Sequence, residues 1–261
     1  MMKSLWNSFK IAFAMFSKIP MPQADWSEEN MRYMLCFFPF VGAAVGVVML
    51  GMEWLCRYFG MSNGFIAVAL VLVPVIVTGG IHVDGLLDTS DALSSWRDRE
   101  KRLEILKDSH AGAFAVITAC VYFLTMYGGM SQIVEQDNRK MLYILATGYM
   151  VSRCLSGIGV ITLPKANASG TVAEFSRKAQ DTRVRNILII YLVLLTGFMF
   201  WIQPVWGTAV IVTALLVFWF YRHKALKYFG GTTGDLSGYF LCLCEAWIVL
   251  VLAIITVVYK I

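Results

Sequence analysis

A chain of 261 residues that is 58% hydrophobic and only 15% charged carries more apolar surface than a soluble domain can bury. Its mean hydropathy of +0.66 points the same way. A net charge of +5 would hint at nucleic acid in a soluble protein, but here the basic residues fall in loops between apolar runs, where they set topology, so no nucleic-acid partner is expected.

These numbers predict an all-α, polytopic integral membrane protein, one membrane-embedded domain over residues 1–261. Residues 3–18 read as an amphipathic helix. Leu5, Trp6, Phe9, Ala12, Phe13 and Phe16 form its apolar stripe, and Lys3, Asn7 and Lys10 lie mainly off it. Such a helix lies in the membrane interface or packs on the protein's own surface. No cleavable signal peptide is expected, because the N-terminus lacks a long apolar core and a small-residue cleavage site. Ile19, Pro20, Met21 and Pro22 break the helix, and Ser27 with Glu28 and Glu29 opens another.

The first span is predicted over about 35–58, with Gly42 and Gly46 spaced for close helix contact. The second covers about 65–80. It leads directly into Gly79, Gly80, Ile81, His82, Val83 and Asp84, then Asp88 and Asp91. Three carboxylates spaced i, i+4, i+7 share one helix face and repel each other. A hard cation turns that repulsion into attraction, which makes a metal site the preferred reading over a merely solvated acidic face. On a continuous helix His82 points about 160° away from Asp84, although the two glycines can break the helix there.

The charged run 97–107 reads as a surface helix, with Asp98 and Arg102 paired at i, i+4 and Leu103 and Leu106 facing inward. Further spans are expected at about 113–130, 141–163, 187–202, 205–221 and 239–259, seven in all. Only Gln203 and Pro204 separate the fifth from the sixth, so these form an antiparallel hairpin. Arg153 lies inside the fourth span and Glu245 about two turns into the seventh. Buried charges of this kind either serve function or pair with another polar group. The loop from Gly230 to Gly238 holds four glycines, Thr232, Thr233, Asp235 and Ser237, and can cradle phosphate or simply turn the chain. Asp235 repeats the Gly-Gly-x-x-x-Asp spacing of Asp84. The six cysteines form no C-x-x-C pair and read as small buried hydrophobes.

Seventeen of the 22 Lys and Arg residues fall on one side of this topology and four on the other, with Arg153 inside a span. The positive-inside rule puts the N-terminus and every polar cluster in the cytoplasm. The expected location is the cell membrane, multi-pass, with the site loops cytoplasmic.

The motifs resemble one family, the cobalamin synthases. Phe38, Pro39 and Gly42 resemble its first-span pattern. The run from Thr78 to Asp91 is similar to its central signature, and Arg97 through Gly112 resembles the following segment. Ser152 and Arg153, the loop from Gly230 to Gly238, and Glu245 resemble later motifs, so the likeness covers most of the chain. Leu87, Ala92 and His110 depart from the pattern; His110 is the departure with chemical consequence, a weaker phosphate partner than Arg.

The resemblance implies a membrane-embedded transferase that joins α-ribazole, or its 5′-phosphate, to adenosylcobinamide-GDP and releases GMP, with Mg²⁺ as cofactor. It implies catalytic roles for His82, Asp84, Asp88, Asp91, Lys107 and Asp108, and metal contacts from Asp84, Asp88, Asp91 and Asp235. It implies substrate contacts from Arg102, Ser109, His110, Arg153, Gly231, Thr233, Gly234 and Glu245. A carboxylate not engaged by metal, or His82, would accept the acceptor's hydroxyl proton. Besides the two substrates and the bilayer, a second copy of the chain or other enzymes of nucleotide-loop assembly are candidate partners. Two alternatives remain open. Another CDP-alcohol-type phosphotransferase would also carry an aspartate cluster at a span end, but Asp88 and Thr89 replace the A-R of that signature. A transporter would use midplane charges and Gly-broken helices, yet the polar clusters here gather at one membrane face.

Overall fold

The structure, a computed structural model, describes residues 2–108, 110–167 and 181–258. Ser109 lies outside these residues, as do Arg177, Lys178 and Lys260 of the charge count. Among the described residues the fold is all helical, with one isolated β-bridge between Lys165 and Thr232. The helices are α1 (Met2–Phe16), α2 (Glu28–Met31), α3 (Met34–Tyr58), α4 (Asn63–Thr78), α5 (Ile81–Ser94) and α6 (Arg99–Ile105), followed by α7 (Ala113–Glu135) and α8 (Arg139–Thr162). Then come α9 (Asp181–Ile202), α10 (Pro204–Lys224), a π-helical turn (Ala225–Phe229) and α11 (Gly234–Val258).

Six of these helices are long and apolar enough to cross a bilayer, and the bent pair α4–α5 supplies a seventh. Six of the seven expected spans are thus single helices, and the second corresponds to the bent pair, which counts as a span only if its two halves cross together. The helices α7, α9 and α11 run past their apolar segments because backbone hydrogen bonding continues into the interface after hydropathy has fallen. At 16 residues α4 rises only about 24 Å, short of the ~30 Å hydrocarbon core. Gly79 and Gly80 then take left-handed φ of +68° and +79°, and α5 leaves at 93° to α4. A side chain with a Cβ would be strained at either position, so the glycine pair is what turns the chain.

Tight contacts between small residues hold the bundle together. The most extensive helix pair is α3 with α8, where Gly42 meets the backbone of Tyr149 and Gly46 meets Ala146. The spacing of Gly42 and Gly46 thus serves the close contact expected of it. The antiparallel hairpin of α9 and α10 is also as expected. Gln203 caps α10 by accepting from the N–H groups of Val205 (2.6 Å) and Trp206 (3.1 Å), and Gly207 packs on the Met199 backbone. The helix α1 packs mainly on the protein itself: the Phe16 ring lies tilted against Phe38 at 4.3 Å and Ile11 and Ala12 are fully buried, while Trp6 stays 56% exposed.

Hydrogen bonds between helix ends fix which loops share a side. Arg57 Nη2 donates to the Val134 carbonyl (3.0 Å) and Gln132 to Thr256 (3.4 Å), joining one end of α3, α7 and α11. At the other end the Lys18 N–H donates to the Val77 carbonyl (2.8 Å) and the Thr232 N–H to the Pro164 carbonyl (2.8 Å). The α4–α5 elbow, α6, the 163–167 segment and the 225–233 turn therefore gather at one end of the bundle.

Candidate functional site

The aspartate helix is held against α11 by two glycines. A Cβ on Gly85 would stand 2.6 Å from the Asp235 carbonyl oxygen and 2.9 Å from its Cα. A Cβ on Gly238 would stand 3.0 Å from the His82 carbonyl oxygen. Backbone thus touches backbone where α5 crosses the first turn of α11, and Asp235 meets the face carrying Asp84 and Asp88. Asp88, one turn on from Asp84 along the same face, is half-buried there. The two Gly-Gly-x-x-x-Asp stretches do converge.

Asp91 has a separate task. Its carboxylate accepts from the N–H of Gly112 (2.6 Å) and of Ala115 (2.9 Å), capping the start of α7. A Cβ on Gly112 would lie 2.8 Å from this carboxylate, so glycine there makes room for the cap.

His82 faces away from the aspartates. It is buried, with its ring 6.0 Å from Phe38, whereas Asp84 is exposed. The helix is continuous from Ile81, so the opposite-face geometry applies. Below it lies Arg153, fully buried, with Nη1 2.7 Å from Glu245 Oε1; Ser152 donates to the same oxygen at 3.1 Å. Arg153 and Glu245 therefore pair with each other inside the bundle and are not gathered with the aspartates. His82 Nε2, Arg153 Nε and Nη2, and the Tyr149 hydroxyl have no hydrogen-bond partner among the described residues.

The glycine loop is more committed than its composition suggests. The N–H groups of Gly230, Gly231 and Thr232 already donate to the carbonyls of Leu226, Ala225 and Pro164. Gly231 lets the loop approach the Pro164 carbonyl, and the Thr232 hydroxyl lies 2.6 Å from Tyr221. Thr233 caps α11 by accepting from the Leu236 N–H (3.1 Å). The expected cradle of loop N–H groups is thus occupied, because the glycines serve chain approach; the first turn of α11, starting at the exposed Gly234, remains turned toward the site.

Lys107, Asp108 and His110 stand on an exposed loop between α6 and α7. His110 Nδ1 lies 2.8 Å from Asp108, which holds that carboxyl below its usual range, and the structure gives neither a contact with the site aspartates. An open cleft of about 500 Å³ adjoins Asp84, lined by Lys18, Thr78, Gly79 and Gly80 and by apolar Met15, Val75 and Leu87. The Lys18 stem lies against Gly79.

The donor set is all carboxylate oxygen, suited to a hard cation. Among the described residues no three His, Cys, Asp or Glu side chains form a ready metal cage. Mg²⁺ does not need one: it is commonly held by one or two carboxylates together with substrate phosphates, and a pair drawn from Asp84, Asp88 and Asp235 fits that pattern. The sequence reading missed Gly85 and Gly238 as the crossing point. The small-xxx-small logic applied to Gly42 would have found them. It also missed Lys18, Lys224, Lys227 and Tyr228, which carry no motif, and Arg99, which lies in the family-like segment but was given no role.

Comparison with known proteins identifies the family. The family described as CobS, cobalamin-5-phosphate synthase, matches residues 8–253. An adenosylcobinamide-GDP ribazoletransferase of Lachnoclostridium phytofermentans is 43% identical over 239 residues, covering 92% of this chain and 90% of the relative. A protein of the same name from Clostridium botulinum is 32% identical over 244 residues, covering 94% and 96%. One from Clostridium perfringens is 30% identical over 261 residues, covering 97% and 100%. No solved structure matches the chain. With a family match over nearly its whole length, and relatives of one name covering both chains end to end, this chain belongs to the cobalamin-5-phosphate synthase family of membrane enzymes.

Proposed function

We propose that this enzyme transfers the phosphocobinamide group of adenosylcobinamide-GDP to α-ribazole, or to α-ribazole 5′-phosphate, with release of GMP. A ribose hydroxyl oxygen of the acceptor attacks the corrinoid-side phosphorus of the diphosphate. The bond from that phosphorus to the GMP oxygen breaks, and a phosphodiester replaces the diphosphate. When bound, Mg²⁺ would supply positive charge that stabilises the phosphoryl oxygens and the departing GMP. Two of Asp84, Asp88 and Asp235 would hold it, and the third, left free of metal, would take the acceptor's proton. Asp91 acts by fixing the start of α7, and Arg153 with Glu245 by locking α8 to α11 beneath the site.

The observation that carries this reading is the Gly85–Gly238 crossing, which sets Asp235 against the Asp84 and Asp88 face at one end of the bundle. The lysine and arginine asymmetry supports a cytoplasmic position for that end, where nucleotides are available. The test is incubation of purified protein with adenosylcobinamide-GDP, α-ribazole and Mg²⁺, with products resolved by chromatography. Stoichiometric GMP and a phosphodiester-linked corrinoid are expected. Movement of labelled corrinoid into vesicles without chemical change would replace this reading with a transporter.

A further inference from the structure

Beside the aspartates, at the same end of the bundle, four cations surround the π-helical turn. Arg102 lies with its guanidinium carbon 4.7 Å from the centre of the Tyr228 ring, and Lys224 and Lys227 place their ammonium nitrogens 5.0 and 5.2 Å from it. No two of these three charges can be more than about 10 Å apart, a separation at which like charges repel unless screened. The Arg99 guanidinium joins them, resting against Gly230, whose left-handed φ of +70° ends the π turn.

Nothing balances this charge. Among the described residues none of the four cations makes an ion pair. Of the carboxylates at α6, Asp98 caps the helix and Glu104 pairs with Lys101, while Glu100 makes no ion pair with the cluster among the described residues. The Nε of Arg102 is buried without a hydrogen-bond partner. A cation over an exposed Tyr face gains little, and three of them on one ring repel each other. The π-helical turn is itself uncommon, and such turns recur at functional sites. The chain has gathered donors whose missing partner is an anion with several acceptor oxygens.

We propose that Arg99, Arg102, Lys224 and Lys227, arrayed about Tyr228, form a phosphate-binding site separate from the aspartates. Its ligand is a phosphate group, carried by the guanosine diphosphate end of the substrate or by an anionic lipid headgroup. The first source rests on the transfer reading; the second does not. Arginine supplies a planar fork for phosphate oxygens and the lysines supply point charges. Tyr228 holds the cationic heads together between binding events.

The test is equilibrium binding of GDP, without divalent cation, to the purified full chain in phosphatidylcholine nanodiscs. The double variant Arg102→Gln/Lys224→Gln should bind GDP roughly tenfold more weakly or worse, the scale of lost charge-assisted hydrogen bonds. Asp84→Asn should bind at least as well as the parent, and Arg102→Lys/Lys224→Arg should recover much of the loss. The same measurement in nanodiscs containing phosphatidylglycerol separates the sources. If that lipid competes with GDP in the parent but not in the double variant, the headgroup shares the site; if it does not compete, the site serves the nucleotide. GDP affinity unchanged in a monodisperse double variant, together with no phosphatidylglycerol effect, overturns the site. GDP binding through the cluster by a protein that releases no GMP from adenosylcobinamide-GDP would defeat the transfer reading and leave this one standing. Full turnover with cluster-independent GDP binding would do the reverse.

Discussion

Four aspartates that look alike in sequence have different surroundings. Asp84 and Asp88 face Asp235, and their substitution by Asn keeps size while losing the charge a divalent cation needs. Either change is expected to abolish GMP release at any Mg²⁺ concentration while membrane insertion and thermal midpoint stay near the parent's. Asp91, spent on Gly112 and Ala115, behaves as a helix cap. Asp91→Ala should cost about 1–2 kcal/mol of stability, read as a lowered thermal midpoint, and Asp91→Asn less because the amide oxygen still accepts. Equal loss of turnover from Asp91→Asn and Asp84→Asn, with no fall in midpoint for the former, would return Asp91 to the metal site. The Arg153–Glu245 pair gives a third pattern. Removing one partner strands a buried charge at a cost of about 3–5 kcal/mol, so Glu245→Met should yield little folded protein. The double variant Arg153→Met/Glu245→Met should recover yield, because neither charge is then left unpaired. All of these residues were legible as candidates, since ionisable groups in so apolar a chain stand out. Their partners were not, because a pairing between Arg153 and Glu245 spans about ninety residues of sequence.

At the scale of elements, the α5–α11 crossing and the α4–α5 elbow make the site. Gly85→Ala and Gly238→Ala each insert a Cβ against backbone, where no side-chain rotation can relieve the contact. We expect each to lose roughly 1–3 kcal/mol of stability, as overpacking does, and to depress turnover further than stability explains, because α5 must move off Asp235. Gly128→Ala and Gly197→Ala meet nothing within 4 Å and should leave both readouts unchanged. Similar turnover in Gly85→Ala and Gly128→Ala would show that the crossing does not govern the site. The elbow was half legible. Adjacent glycines announced a break after the second span, but the 93° turn follows from both adopting left-handed φ, which sequence permits without requiring. The glycine loop stayed open between two readings for a related reason. Glycine allows close approach to any neighbour, and only the fold shows that the neighbour is the Pro164 carbonyl.

For the whole molecule the decisive quantity is the distribution of basic residues across the bilayer. Most Lys and Arg residues lie at the end that holds the aspartates, and the positive-inside rule expects that end in the cytoplasm, which labelling tests. A cysteine at Ser95, next to the 91% exposed Trp96, should resist a membrane-impermeant thiol reagent in intact cells and react after permeabilisation. A cysteine at Asn138, in the short turn at the opposite end, should react in intact cells. The reverse labelling pattern would invert the topology. Native thiols interfere little, since all but Cys120 are buried.

The sequence by itself determined the class and the succession of apolar helices, and it singled out the ionisable residues. Apolar runs of bilayer length force helices, because backbone groups in lipid must bond within their own segment, and a charge amid such runs is too costly to be incidental. Only the tertiary structure decided which charges meet. It joined Asp235 to Asp84 and Asp88, gave Asp91 to α7, paired Arg153 with Glu245, and collected Arg102, Lys224 and Lys227 on Tyr228. The physical reason is that hydropathy acts along the chain, residue by residue. Contact between helices depends instead on where each lacks a side chain, and that complementarity exists only once the helices are packed.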